Sequence, residues 1–129
     1  MILTIKTDSP TAELTIFSNG KRTDEYIWEA NRELARDLLK KIQELLRKNN
    51  ADFNDLTGLV VYSGPGSFTG LRIGLTVANT IAYGQNIPIV GSTGDDWLQD
   101  GLQKIASGQN DKVSMPYYGA EANITAPKK

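Results

Sequence analysis

The spacing of hydrophobic residues changes near residue 30 of the chain. Before that point, residues 1–7, 12–17 and 24–29 alternate between apolar and polar positions, and polar turns at 8–10 and 18–20 separate them. Alternation with a period of two is typical of strands, and short polar turns between strands are typical of hairpins. The pattern predicts an antiparallel meander of three strands at the start of the chain.

Residues 31–48 follow a helical period instead. Their apolar residues recur at intervals of three or four, at Leu34, Leu38, Ile42 and Leu45. Asn31 stands where an N-cap is expected. Leu39 and Leu46 make the apolar stripe wider than packing against one sheet requires. This width indicates either a deeply packed helix or a second contact surface, and the sequence leaves both open.

The rest of the chain alternates between strands and helices. A continuous apolar run within residues 55–63 predicts a strand buried on both faces, and a shorter strand follows at 87–90. Helical patterns cover residues 69–84 and 95–106. Strands joined by hairpins lie side by side, and βαβ crossovers are right-handed. For the order βββαβαβα these two rules predict a five-stranded mixed sheet with the strand order 3-2-1-4-5. The expected fold class is α/β, with helices on the faces of a sheet that forms one half of an actin-like or ribonuclease-H-like architecture.

Histidine and cysteine are both absent from the 129 residues. Their absence excludes Ser-His and Cys-His catalysis, disulfides and cysteine-based zinc sites. The net charge of −1 provides no basic field that could hold nucleic acid. No apolar run approaches the roughly 20 residues of a membrane span, and the first residues lack the features of a signal peptide. We expect a one-domain cytoplasmic protein with no membrane contact.

A glycine-rich loop follows the predicted buried strand. Gly64, Gly66, Ser67 and Thr69 precede a helix, and backbone N–H groups at such a place can bind an anion or a nucleotide phosphate. The loop is not a Walker A motif, because no Gly-Lys-Ser/Thr sequence follows the glycines. The glycines alternatively serve only to make a tight turn.

The helix at 69–84 carries a strip of small residues at a spacing of four, formed by Gly70, Gly74, Ala78 and Ala82. Glycine inside a soluble helix costs about 0.8–1 kcal/mol relative to alanine, so close packing must offset that cost. The close neighbour is either the protein's own sheet or a helix of another subunit. Arg72 lies near the N-terminus of this helix, where the helix dipole disfavours a positive charge. An acidic group of a partner or a bound anion would offset that cost. Alternatively, Arg72 folds over its own loop.

The run Gly64-Pro-Gly-Ser-Phe-Thr-Gly-Leu-Arg72 resembles the signature of the TsaB (YeaZ) family. The resemblance covers roughly residues 1–107 and implies an actin-like (ASKHA) domain that pairs with the transferase TsaD, joined by the ATPase TsaE. It implies tRNA modification with no catalytic residue and no metal ligand in this chain, and only indirect contact with tRNA. The implied partner interface lies on helices 31–48 and 69–84. Its expected residues are Leu34, Leu38, Ile42, Leu45, Gly70, Arg72, Gly74 and Ala78.

The chain departs from the family pattern in three ways. Lys6 stands where actin-like enzymes keep an aspartate for metal and nucleotide, and Asn31 stands where the family often has a histidine. Family members also carry a second actin-like domain, whereas here residues 108–129 resemble an extended C-terminal tail. We therefore expect no cofactor on the isolated chain, with ATP or ADP only at an interface with a partner. Two alternatives remain open: a small nucleotide-binding regulator that uses loop 64–70, and a self-associating homodimer.

Overall fold

A computed structural model describes residues 1–116 of the chain. The strands of this part are β1 (Ile2–Lys6), β2 (Thr11–Ser18), β3 (Lys21–Glu29), β4 (Gly58–Gly64) and β5 (Ile89–Thr93). Its α-helices are α1 (Leu34–Lys48), α2 (Phe68–Gln85) and α3 (Trp97–Ala106). Two single turns of 3-10 helix, Asn31–Glu33 and Phe53–Asp55, precede α1 and β4. The predicted order βββαβαβα is confirmed.

The five strands form one mixed sheet in the order β3-β2-β1-β4-β5, which confirms the predicted order. β1 is central because it pairs on both sides. Ile5 faces Leu14 of the antiparallel strand β2 and Val61 of the parallel strand β4. β3 and β5 form the two edges of the sheet.

Helices lie on both faces of this sheet. α1 and α2 cover the face that contributes alternate residues to the main core, such as Ile5 and Val61. α3 covers the opposite face of β4 and β5, where Gly101 lies against the side chain of Val60. Successive side chains of β4 point alternately toward α1 and α2 on one face and toward α3 on the other. β4 is therefore buried along its whole length.

Several predicted boundaries are wrong, for local reasons. Asn31 is not an N-cap: its φ is +49°, it starts the 3-10 turn, and α1 begins three residues later. β3 extends back to Lys21 because the hairpin with β2 continues past a bulge at Ile16/Phe17. The strand predicted from residue 55 begins only at Gly58, because Phe53–Asp55 form a 3-10 turn in which Asp52 and Asp55 make a capping box.

The predicted tail, residues 108–129, is described only as far as residue 116. Residues 108–116 form neither helix nor strand. The expectation for the remainder, including Tyr117, Tyr118 and the final two lysines, lies outside the described residues.

Candidate functional site

The glycine loop packs against the turn between β1 and β2. The backbone N–H of Ser67 donates to the carbonyl of Asp8 at 2.9 Å. Gly66 lies so close to Asp8 that a β-carbon at residue 66 would overlap that side chain. Gly64 has a φ of +135°, which favours glycine. Packing therefore accounts for both glycines and for the Ser67 amide; Thr69 is exposed in the first turn of α2.

Lys6, which the family resemblance aligns with an aspartate of actin-like enzymes, is paired with a carboxylate of its own chain. Its ammonium group lies 2.6 Å from a carboxylate oxygen of Asp8 and 4.8 Å from the ring centroid of Tyr62. Burial, and secondarily the charge of Asp8, raises the pKa of Tyr62, whose hydroxyl donates to the Pro65 carbonyl at 2.6 Å. A cation that neutralises the nearby carboxylate does not fit a metal-bound nucleotide at this place.

The small-residue strip of α2 faces β1. Thr7 Oγ1 donates to the Gly70 carbonyl at 2.8 Å, and the Thr7 carbonyl lies where a β-carbon on Gly70 would stand. Gly74 is buried against the Thr7 side chain, and Ala78 is fully buried in the core. The alternative in which the strip packs on the protein's own sheet is therefore the one realised. Gly74 and Ala78 are buried, so as predicted partner contacts they are wrong, whereas Gly70 is half-buried and its place in an interface stays a prediction.

The four predicted interface residues of α1 are also buried within the domain. Leu34, Leu38, Ile42 and Leu45 are each no more than 4% exposed. Their side chains form the core between α1, α2 and the sheet. Their assignment as contact residues is therefore corrected to core residues, although Leu34 also lines the floor of a surface groove described below.

Arg72 is the one predicted interface residue that is exposed to solvent. Its guanidinium carbon lies 5.3 Å from the centroid of the Phe68 ring, one turn earlier in α2. This is the alternative in which the arginine folds over its own loop. A cation–π contact at an exposed site contributes about 0.5–1 kcal/mol, so Arg72 can still turn toward a partner.

An open surface lies between α1 and α2. We call it the α1–α2 trough; it has a volume of about 370 Å³ and is lined by Ala35, Arg72, Ile73, Thr76 and Val77. Leu39, one turn after Ala35, leaves 48% of its surface exposed. Sequence reasoning missed these residues because it selected the stripe at Leu34 and Leu38. The available signal was the extra width of that stripe at Leu39.

A larger groove of about 910 Å³ continues from the trough at Ile73. It runs past the starts of α1 and α2 and includes Ser67, Thr69 and Gly70. Its remaining lining residues are Ser9, Pro10, Glu29, Ala30, Asn31, Arg32, Glu33, Leu34, Arg36 and Asp37. The groove thus has a mixed-charge rim above a partly apolar floor.

The charges on this rim are partly neutralised by one another. Arg36 lies 3.0 Å from Glu33 and 2.8 Å from Asp37. The hydrogen bond from Arg36 lowers the pKa of the Asp37 carboxyl. Such exposed pairs contribute little to stability and can exchange for contacts with another protein.

Two further features bear on function within residues 1–116. No group of three acidic side chains comes together in this part of the chain to hold a metal ion. No helix of the same residues is both long and apolar enough to cross a bilayer.

The architecture, with its three-stranded meander followed by two parallel units, defines a small actin-like, ribonuclease-H-like α/β domain. YeaZ from Pseudomonas aeruginosa superposes on 83% of this chain and 49% of its own, with a TM-score of 0.68 and 20% identity. RuvC from T. thermophilus in complex with a Holliday junction substrate superposes on 71% of this chain, with a TM-score of 0.52 and 9% identity. Both likenesses concern the fold.

Sequence comparison identifies the family. Residues 28–93 match the family model described as TsaD, tRNA N6-adenosine threonylcarbamoyltransferase. The tRNA threonylcarbamoyladenosine biosynthesis protein TsaB of Escherichia coli is 24% identical over 123 residues, and that of Bacillus subtilis is 34% identical over 88. The transferase of Clostridioides difficile is 46% identical over 50 residues. The chain therefore belongs to the family that the TsaD model describes, as a TsaB (YeaZ) member.

The chain matches only part of each relative. It covers 53% of the E. coli TsaB protein and 38% of the B. subtilis one, from 91% and 68% of its own length. For the C. difficile transferase the matched part is 15% of that protein and 39% of this chain. The chain therefore spans about half of the curated relatives that it matches, or less.

Proposed function

We propose that this chain is a non-catalytic subunit of the system that makes threonylcarbamoyladenosine on tRNA. In this role it docks on a TsaD-like transferase through the α1–α2 trough and the adjoining groove. The observation that carries the proposal is the trough itself. It is an apolar surface between two helices, open to solvent, and it lies inside the segment that matches the TsaD family model.

The shape of the trough suits a helix from another protein. Ala35 and Val77 have small side chains, which allow a second helix to approach. Leu39 supplies an exposed apolar group beside them. Arg72 and Thr76 provide polar groups at the edge, as is usual around the apolar centre of an interface.

The similarity to transferases supports a partner of related fold. Since the transferase family shares this domain, a TsaD-like partner would itself carry a helix pair equivalent to α1 and α2. Two related surfaces can pair around an approximate twofold axis, as identical ones do in symmetric dimers. A second copy of this chain is therefore the main competitor for the same trough.

The non-catalytic role rests on the chemistry that the chain carries. With no histidine or cysteine, it lacks the side chains that most often act as general base or thiolate nucleophile. The Ser67 amide of the glycine loop is engaged by Asp8, and Lys6 is paired with the same residue. Transfer chemistry and tRNA binding are accordingly assigned to the partner. A TsaE-like ATPase in a larger complex and a cytoplasmic location belong to the same proposal.

Sedimentation velocity of the chain, a TsaD-like transferase and their equimolar mixture tests this function. We expect a new, faster boundary in the mixture at micromolar concentration, with both proteins in a 1:1 ratio. A mixture that sediments as the sum of its components would overturn the docking proposal. If the chain alone forms dimers that the transferase does not dissociate, the homodimer explains the trough instead.

A further inference from the structure

The charged side chains of this protein are unevenly distributed along the chain. Residues 31–48, which include α1, carry six basic and three acidic side chains. Residues 68–85, which form α2, carry Arg72 as their one charged side chain. Six less three, with Arg72 added, gives these two segments a net charge of +4, in a chain whose net charge is −1. Positive charge is therefore concentrated on the two helices that line the α1–α2 trough.

A row of cations follows the outer face of α1 beside the trough. Arg36, Lys40 and Arg47, which we call the basic row, recur at intervals of four and seven residues, and all three are exposed. Residues at these spacings lie on one face of a helix. Ala35 lines the trough and Leu39 is exposed one turn later, and each directly precedes a member of the row. The basic row therefore forms the rim of the trough along α1.

Two members of the basic row have no acidic partner in the part of the chain that the structure describes. Lys40 and Arg47 take part in none of the ion pairs formed within residues 1–116. Glu44 lies four residues after Lys40, but its carboxylate lies 3.8 Å from the ammonium group of Lys41 instead. The cations of Lys40 and Arg47 are therefore available to acidic groups of another protein.

The α2 side of the trough carries charge of the same sign. Arg72 is exposed and lines the trough opposite Ala35. α2 has no acidic residue that could neutralise it. The trough is thus an apolar strip that has cations on both helices beside it.

We propose that the α1–α2 trough takes an acidic helix of the transferase partner and rejects a second copy of this chain. The inference rests on the docking function proposed above and adds the chemistry of the partner. The partner helix presents apolar side chains to the trough and carries aspartate or glutamate where it faces the basic row. Opposite charges across an interface favour association and fix its register.

A second copy of this chain presents the wrong charge to the trough. Twofold pairing of two trough surfaces sets a net charge of +4 against an identical one. Like charges that face each other across an interface oppose association and so select between partners. The basic row therefore distinguishes the two candidate occupants, which the apolar lining of the trough cannot do.

RNA matches this surface less well than a protein helix does. The phosphate backbone binds through lysine and arginine, but Ile73 and Val77 give the trough an apolar lining. Glu33 and Asp37 lie within ion-pair distance of Arg36 and would repel phosphate groups beside it. A helix with an apolar strip and acidic flanks matches both parts of the surface.

The double variant Lys40→Glu/Arg47→Glu tests the charge of the partner. Lys21→Glu/Lys112→Glu is the control, because it changes the net charge equally at two exposed lysines outside α1 and α2. Isothermal titration against a TsaD-like transferase at low salt is expected to show at least about tenfold weaker binding for the double variant and unchanged binding for the control. The unaltered chain should bind at least about fivefold more weakly at about 500 mM NaCl than at about 50 mM, because salt screens the attraction.

The outcomes separate the chemistry of the partner from docking itself. If all three proteins bind equally at both salt concentrations, the acidic partner is overturned and docking stands. If no complex forms at either concentration, docking and the acidic partner are overturned together. If tRNA binds the chain alone and the double variant loses that binding, the basic row serves RNA and the proposal is contradicted.

Sedimentation velocity of the chain alone tests the rejection of a second copy without any transferase. We expect the unaltered chain to stay monomeric at low salt. The double variant lowers the charge of the two helices by four, to zero, and should associate more strongly. Association of the double variant no stronger than that of the unaltered chain would contradict the rejection, as would a low-salt dimer of the unaltered chain that Ala35→Arg dissociates.

A single variant keeps both tests decisive if circular dichroism shows that the double variant unfolds. Lys40→Glu then replaces it, with Lys21→Glu as the control, since both residues are exposed. We expect at least about threefold weaker binding of the transferase by Lys40→Glu at low salt. Equal binding by Lys40→Glu and Lys21→Glu would overturn the acidic partner.

Discussion

The side-chain hydroxyl of Thr7 lies beside the α-carbon of Gly74, in the space that a β-carbon on residue 74 would need. The same hydroxyl donates to the carbonyl of Gly70, one turn earlier in α2. The end of the central strand β1 is therefore joined to the first turns of α2 through the two glycines. This contact, within one domain, explains the two glycines of the small-residue strip in α2.

Replacing Gly74 by alanine is expected to destabilise the domain. The new β-carbon overlaps Thr7 Oγ1, and overpacking of this kind costs about 1–3 kcal/mol. The better helix propensity of alanine offsets only about 1 kcal/mol of that cost. Urea unfolding followed by circular dichroism measures the net change in the free energy of unfolding.

Gly84→Ala is the matched control for this change. Gly84 lies in the same helix, and a β-carbon there would meet no atom within 4 Å. We expect Gly84→Ala to raise the free energy of unfolding by up to about 1 kcal/mol. Equal effects at residues 74 and 84 would show that contact with Thr7 does not explain the glycine.

The order of the elements and the sheet could be predicted from the sequence because each follows from a local period. The apolar stripe at Leu34 and Leu38 indicates a helix, but the same stripe fits a core and a partner interface equally well. Burial by the sheet settles that choice, and burial is a tertiary property. The contact between Gly74 and Thr7 joins residues far apart in the sequence, so no local pattern could reveal which neighbour required the glycine.

The candidate site was predicted less well than the fold. Helices α1 and α2 are predicted correctly, but the predicted interface does not include the outward positions Ala35 and Val77, because the pattern selects the stripe at Leu34 and Leu38. The position of Lys6 was recognised from the family pattern alone. Its pairing with Asp8 and its place above Tyr62 depend on how the β1–β2 turn folds back, which the sequence does not reveal.

Leu38→Ala and Leu39→Ala should separate core residues from surface residues on α1. Leu38 is fully buried, so its truncation is expected to lower the free energy of unfolding by about 2–5 kcal/mol. Leu39 is 48% exposed, and its truncation should cost less than about 1 kcal/mol. Thermal unfolding of both variants checks this order, and the reverse order would contradict the assignment of Leu38 to the core.

Lys6→Asp should destabilise the region around Asp8. The substitution removes the ion pair and sets two carboxylates close together, so we expect the midpoint of thermal unfolding to fall at neutral pH. Added Mg²⁺ should restore part of the loss in the variant and have no effect on the unaltered chain. Thermal stabilisation of the unaltered chain by Mg²⁺ with ATP would contradict the interpretation of Lys6.

Asp24 makes the stability of the β3–α1 contact depend on pH. Its carboxylate accepts from Asn49 Nδ2 at 3.0 Å, and this hydrogen bond is the largest cause that lowers the pKa of Asp24. A folded-state pKa below the ordinary value of about 3.9 contributes stability that is fully present above that value. The contribution is lost as the pH falls through the lowered pKa.

Asp24→Asn should therefore remove part of the acid sensitivity. At neutral pH the variant is expected to have a slightly lower free energy of unfolding, by less than about 1 kcal/mol because solvent screens the carboxylate, and the difference from the unaltered chain should shrink toward pH 3. Asp100→Asn, at an exposed position on α3, controls for the loss of one negative charge. Urea midpoints measured from pH 7 to pH 3 check both variants. If the difference in unfolding free energy between Asp24→Asn and the unaltered chain grew as the pH fell, it would contradict a lowered pKa of Asp24.

The affinity of Ala35→Arg for a TsaD-like transferase tests the central claim most directly. The substitution places a long charged side chain in the α1–α2 trough at an exposed helical position, so the fold should remain intact. Gln99→Arg introduces the same charge at an exposed position on α3, across the sheet. Isothermal titration is expected to show at least about a tenfold weaker complex for Ala35→Arg and an unchanged one for Gln99→Arg. Equal affinity of both variants and the unaltered chain would contradict docking through the trough.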